Sequence, residues 1–191
     1  ERFIDRLHAY NFGEAYEFDL TEPGVARPMI PDPTSSRWTM YDLANVAIGY
    51  SSRVTPLQVA TFYNAIANDG KMMKPYIVEC TERNGVAEKT YGPMLLNSIC
   101  SKATADTLTR ALKRVTSDGT AKVLRNARCQ VAGKTGTAEN ESDKDHSWFI
   151  GFAPAEDPEI AVVVMMEFSG GTGGGNCAPI ARNIMQKYLS K

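Results

Sequence analysis

The chain has 191 residues, 43% apolar and 23% charged, the balance of an ordinary globular protein. A formal net charge of -1 gives no electrostatic case for a nucleic acid or an anionic membrane as partner. No apolar run approaches the roughly 20 residues that span a bilayer.

The opening "ERFIDRLHAY" lacks an initiator methionine and reads as mid-helix, so a longer parent protein is expected. Phe3, Leu7 and Tyr10 fall at helical spacing over residues 1–12, with Gly13 as the stop. Pro23, Pro28, Pro31 and Pro33 predict an irregular loop over 20–40, and "MYDLANVAIGY" (40–50) a short apolar helix or turn. The clearest helix start is "VTPLQVATFYNAIANDG": Thr55 caps, Pro56 suits the first helical position, and Gln58 completes a capping box. Its apolar residues go most of the way round, which predicts a buried helix ending at Gly70.

"KPYIVEC" (74–80) reads as a strand and "TERNGVAEKTYG" as a polar turn or hairpin. Residues 101–116 form a further helix, with Leu108, Leu112 and Val115 on one stripe and Gly119 just past the end. Segments 129–139, 146–154 and 159–168 read as strands, the last so continuously apolar that both its faces are expected to be covered. "CAPIARNIMQKYL" is a terminal helix, with Ile180, Ile184 and Tyr188 on one side and Met185 and Leu189 beside them. The resulting fold class is α+β, an antiparallel sheet flanked by helices.

Several motifs carry no chemistry. The glycine run "SGGTGGGN" (169–176) lacks the lysine and hydroxyl of a phosphate loop and reads as a flexible strand-to-helix connection, with Asn176 a candidate cap. "GYSSR" fails the nucleophile-elbow pattern at Arg53. "SDG" (117–119) does a complete job as a helix stop. Cys80, Cys100, Cys129 and Cys177 have no metal or redox spacing and read as buried small hydrophobes, a disulfide being open only in an oxidising compartment. His8 and His146 are too far apart in sequence to suggest a metal site, and no cofactor is expected. What remains is Lys134-Thr135-Gly136-Thr137, on a strand-like segment with two strands and a helix after it.

"ANVAIGYSSRVTPLQVATFYNAIANDGKMMKPYIVE", "RVTSDGTAKVL", "VAGKTGTAEN", "DHSWFIGFAPAEDPEIAVVVMME" and "APIARNIM", together with "NFGEAYEFDL", resemble the C-terminal half of the transpeptidase domain of class B penicillin-binding proteins. The resemblance runs through most of the chain and implies a partial penicillin-binding transpeptidase or serine β-lactamase-like fold, with residues 1–191 the C-terminal portion of a single domain. It implies a periplasmic or outer-wall D,D-transpeptidase with a membrane-anchored parent. The family's partners are peptidoglycan stem peptides ending in D-Ala-D-Ala, and β-lactams. A β-lactam sensor, and a D,D-carboxypeptidase or β-lactamase-type hydrolase, are the alternatives.

By the same resemblance Lys134 assists proton transfer and draws the substrate carboxylate, while Thr135 and Thr137 hydrogen-bond that carboxylate. Gly136 admits the substrate backbone beside the strand, and the Thr137 N–H is one oxyanion-hole donor. Gly133 either serves the same approach or relieves packing beneath the strand. Trp148 and Phe149 read as core or cleft wall, and Glu139 and Asn140 receive no role. Where family members often have Gly-Gln-Gly, this chain has Gly49-Tyr50-Ser51, so the rim of the cleft is expected to differ.

The reaction needs a Ser-x-x-Lys nucleophile and a Ser-x-Asn motif, and neither occurs in residues 1–191. The fragment is therefore expected to be inactive alone. In the family the strand that carries the motif is an edge strand beside 146–153 and 159–168, and two further strands from upstream sequence pair with 159–168. Without them, that edge is expected to be covered by self-association or by a displaced segment of this chain.

Overall fold

A computed structural model describes residues 2–16, 26–140 and 143–191. Pro23, and residues 17–20 of "NFGEAYEFDL", lie outside the described residues. The helices are α1 (Arg2–Ala9), α2 (Met40–Ala47), α3 (Pro56–Ala67), α4 (Lys102–Ser117) and α5 (Ala178–Tyr188). The strands are β1 (Lys71–Met73), β2 (Cys80–Arg83), β3 (Val86–Thr90), β4 (Leu95–Ser98), β5 (Ala132–Ala138), β6 (His146–Ala153) and β7 (Ile160–Met166). Among the described residues they pair antiparallel as β1-β4, β2-β3 and β5-β6-β7, an α+β fold as expected.

The β5-β6-β7 sheet organises the core. α3 packs on one face and α5 on the other. Residues alternate between the faces along a strand. Phe152 and Ala132 therefore join Ala65, Ile66 and Met72 on the α3 side, while Phe149 and Val131 join Ala178, Ala181 and Met185 on the α5 side. α4 lies along β5.

α3 begins as its sequence predicts, the Thr55 hydroxyl accepting from the Gln58 N–H and the Gln58 side chain accepting from the Thr55 N–H. Gln58 does more than cap. Its buried Nε2 donates to the carbonyls of Asn11, Phe12 and Glu14 at 3.1, 3.2 and 2.9 Å, tying the N-terminal segment to α3. Gln58→Ala leaves those buried acceptors short of a donor and is expected to cost about 2–3 kcal/mol in chemical unfolding. A loss under about 0.5 kcal/mol would contradict that role.

Several expectations need correction. α1 closes at Asn11, which takes a left-handed φ of 60°, rather than at Gly13; Gly13 lies against His8 instead. Residues 74–79 are not a strand; Pro75 interrupts them, and the pairing segment is Lys71–Met73 against β4. Gly119 has no left-handed φ. It is needed because a Cβ there would lie 2.9 Å from the Val115 carbonyl oxygen. The terminal helix α5 needs no correction: Ile180, Ile184 and Tyr188 lie on one exposed side, and Ala178, Ala181 and Met185 face the sheet, since the small residues let the helix sit close.

β7 has helices on both faces, yet only Val162 is buried in it, because it is the outer strand. No segment of the described residues pairs with its other edge. Of the cysteines, only Cys177 is fully buried; Cys80 is exposed on β2, and all four are free thiols. The β2-β3 hairpin turns at Asn84-Gly85, with φ of 53° and 77°, as the Asn-Gly pair dictates.

Candidate active site

β5 is the outer strand of its sheet, and the residues singled out by sequence lie along its free edge. In an antiparallel ladder, alternate residues turn their N–H and C=O toward the neighbour and the rest turn away. The Gln130 carbonyl accepts from the Ala155 N–H, on the β6 side. Counting by two, Ala132, Lys134, Gly136 and Ala138 bond toward β6, and the odd-numbered residues present their backbone to the free edge.

That edge is closed at both ends and open between them. At one end the Val131 carbonyl accepts from the buried Thr116 hydroxyl of α4 at 2.6 Å. At the other the Glu139 N–H donates to the Tyr50 hydroxyl at 3.4 Å. Tyr50 stands where the rim was expected to differ, and it carries the loop 49–53 against the end of β5; Ser51 in that loop has a φ of 56°. Thr135 and Thr137 form the open stretch, while Gly133 is buried.

Lys134 is exposed, and its Nζ donates to the Thr135 carbonyl at 2.7 Å, which brings the ammonium to the free edge. Thr135 and Thr137 share the α5 face of the strand, opposite Phe149 and Ser147, and Thr137 is exposed. One strand edge thus gathers a cation, two hydroxyls and backbone N–H groups turned away from β6, a set suited to an anionic group on an extended chain. Gly136 pairs with Trp148, whose Cβ a methyl at Gly136 would approach to 3.3 Å. Trp148 is half-buried and Phe149 fully buried, as wall and core.

The two readings of Gly133 are resolved by packing. A Cβ there would lie 2.6 Å from Phe149 Cζ and 2.7 Å from the Ile150 carbonyl oxygen, so the glycine relieves a clash within the sheet. The glycine run is not a loose tether. Residues Gly173–Cys177 form one wide helical turn whose Gly173 packs on the Trp148 carbonyl and whose Gly174 packs on the Thr120 carbonyl. Thr172 caps this turn by accepting from the Gly175 N–H at 3.1 Å, and the residue at the N-cap of α5 is Cys177 rather than Asn176.

Sequence reasoning missed Thr120. The segment after α4 was expected to be a helix stop, and Ser117 and Asp118 do end the helix. The Ser117 hydroxyl, with Arg114 and Arg125 beside it, holds the Asp118 carboxyl below its ordinary value. Two residues on, the Thr120 hydroxyl lies 2.6 Å from that of Thr135. No local pattern announces this contact, which joins residues 15 apart. Among the described residues no cluster of three or more His, Cys, Asp or Glu could hold a metal.

The chain is 33% identical to the peptidoglycan D,D-transpeptidase MrdA of Haemophilus influenzae, over 100% of this chain and 33% of that protein. It is 36% identical to the peptidoglycan D,D-transpeptidase PbpA of Mycolicibacterium smegmatis, over 97% of this chain and 39% of that one. It therefore spans about a third of the length of the curated relatives it matches. Among solved structures, penicillin binding protein 3 of Mycobacterium tuberculosis complexed with aztreonam superposes with a TM-score of 0.87 at 26% identity, covering 99% of this chain and 46% of that one. The ceftriaxone acyl-enzyme of penicillin-binding protein A from the same organism gives 0.77 at 29% identity, covering 96% and 42%. Residues 1–186 match the penicillin binding protein transpeptidase domain, and the chain belongs to that family.

Proposed function

We propose that the protein carrying this chain is a peptidoglycan D,D-transpeptidase of the cell envelope, acting outside the cytoplasmic membrane and acylated by β-lactams. Residues 1–191 form the C-terminal portion of its transpeptidase domain. The observation that carries this reading is the open edge of β5, where Lys134, Thr135 and Thr137 converge on one extended stretch of backbone.

On this reading a stem peptide lies along β5 as an added strand. Its terminal carboxylate takes hydrogen bonds from the Thr135 and Thr137 hydroxyls and the charge of Lys134; bonds to a charged group contribute about 1.5–3 kcal/mol each. The Thr137 N–H, on the free edge, donates to the oxyanion that forms as a serine attacks the peptide carbonyl. The bond between the two D-alanines breaks, the terminal D-alanine leaves with a proton, and the acyl group rests on the serine until a second stem's amine takes it. Lys134 assists the proton movements. The serine belongs to a Ser-x-x-Lys motif supplied from outside these 191 residues, which contain none.

The test is to incubate the full-length protein with a peptide ending in D-Ala-D-Ala and an amine acceptor. Release of D-alanine together with a cross-linked product supports the proposal. Release without cross-linking indicates a carboxypeptidase, and β-lactam acylation with neither product indicates a sensor; both contradict it. The outer edge of β7, which no strand among the described residues pairs with, and the exposed Met166 and Phe168 support a further element of the reading. They leave an apolar edge that another segment of the full-length protein, or a second copy, must cover.

A further inference from the structure

We propose that Thr120 is a positioning residue for carboxylate capture, acting through the hydroxyl of Thr135; this rests on the reading of β5 as the substrate edge. The two hydroxyl oxygens lie 2.6 Å apart, and in the absence of a ligand either can donate. A bound carboxylate removes that symmetry. An anion only accepts, so Thr135 must spend its one proton on the carboxylate. Its contact with Thr120 then survives only with Thr120 as the donor. The chain runs in one direction, from the Thr120 O–H to the Thr135 oxygen and from the Thr135 O–H to the carboxylate, and each bond polarises the next.

Thr120 is held for this task. The next residue, Ala121, is fully buried, with its N–H on the Val115 carbonyl at 3.1 Å. Behind Thr120, its carbonyl packs against Gly174, where any side chain would collide with it, and the Thr135 methyl borders the same place. The end of α4, the edge strand and the glycine turn therefore meet at this pair of hydroxyls. A donor fixed on three rigid elements loses little freedom when the ligand arrives. This gives the glycine run a use beyond connection, since it seats the residue that orients Thr135.

The experiment compares acylation rate constants of the full-length protein for a penicillin and for its methyl ester, which removes the anion and keeps the ring. The wild type is expected to prefer the free acid. Thr120→Val keeps shape and removes the hydroxyl, and is expected to lower the free-acid rate about tenfold with the ester rate unchanged, so that the preference narrows. Thr120→Ser is expected to restore it. Equal losses on acid and ester mean that Thr120 merely supports the fold and overturn the proposal, as does an undiminished preference in Thr120→Val. A wild type that is acylated by neither compound overturns the transpeptidase reading itself, and this inference with it.

Discussion

Replacing Lys134 with alanine in the full-length protein is expected to slow acylation by a fluorescent penicillin by about 10²–10⁴-fold, the usual contribution of a positioned acid or base. The side chain is exposed and its ammonium bonds to the carbonyl of the next residue, so the unfolding temperature should hardly change. Activity and stability are thereby separated at this position. Lys134→Arg separates two parts of the role. Arginine keeps the positive charge that draws a carboxylate but holds its proton at any working pH. If Lys134 moves protons as well as attracting the anion, Lys134→Arg should bind the penicillin and still acylate slowly. Labelling of Lys134→Ala at the wild-type rate would remove the lysine from the chemistry.

The second large effect is structural. Gly173→Ala is expected to destabilise the protein by about 3 kcal/mol, the upper end of ordinary overpacking. The new methyl would collide with the Trp148 carbonyl and lie 2.8 Å from that of Gly136. Both are backbone atoms of the β5-β6 ladder, so no rotamer change relieves the contact. For a domain of this size the unfolding midpoint should fall by roughly 6–12 °C. Gly136→Ala, with its nearest contact a side-chain carbon at 3.3 Å, is the milder comparison and should cost about 1 kcal/mol. Equal midpoints for Gly173→Ala and wild type in a thermal scan would contradict the packing described for the glycine turn.

What could be read in advance follows from how local each signal is. Thr55, Pro56 and Gln58 announce the start of α3 because a cap is settled within four residues, and Asn84-Gly85 announces a hairpin for the same reason. The reach of Gln58 to carbonyls 44 to 47 residues away is tertiary and leaves no local mark. β1 escaped notice because three residues pair with a segment more than twenty positions on, while "KPYIVEC" looked more strand-like on composition. On α5 the spacing puts Ile180, Ile184 and Tyr188 in one row without saying which row is buried, and the sheet takes the row of Ala178, Ala181 and Met185.

In the site, Lys134, Thr135, Gly136 and Thr137 were legible as a motif on a strand. That the strand is an outer one was implied by the resemblance; that its edge is open between the Thr116 and Tyr50 contacts came from the fold. Thr120 and Gly173 were hidden behind plainer roles, a helix stop and a flexible link. Composition marks where a chain is permitted to bend and says nothing of what it packs against after bending.

The central claim is that β5 is one wall of an acyl-transfer site whose nucleophile lies outside residues 1–191. Intact-mass analysis after incubation with benzylpenicillin tests it most directly, on the full-length protein and on the 191-residue chain side by side. One penicilloyl adduct is expected on the full-length protein, mapping to a Ser-x-x-Lys serine, and none on the shorter chain. An adduct on any serine of the 191-residue chain, or none on the full-length protein, would contradict the claim.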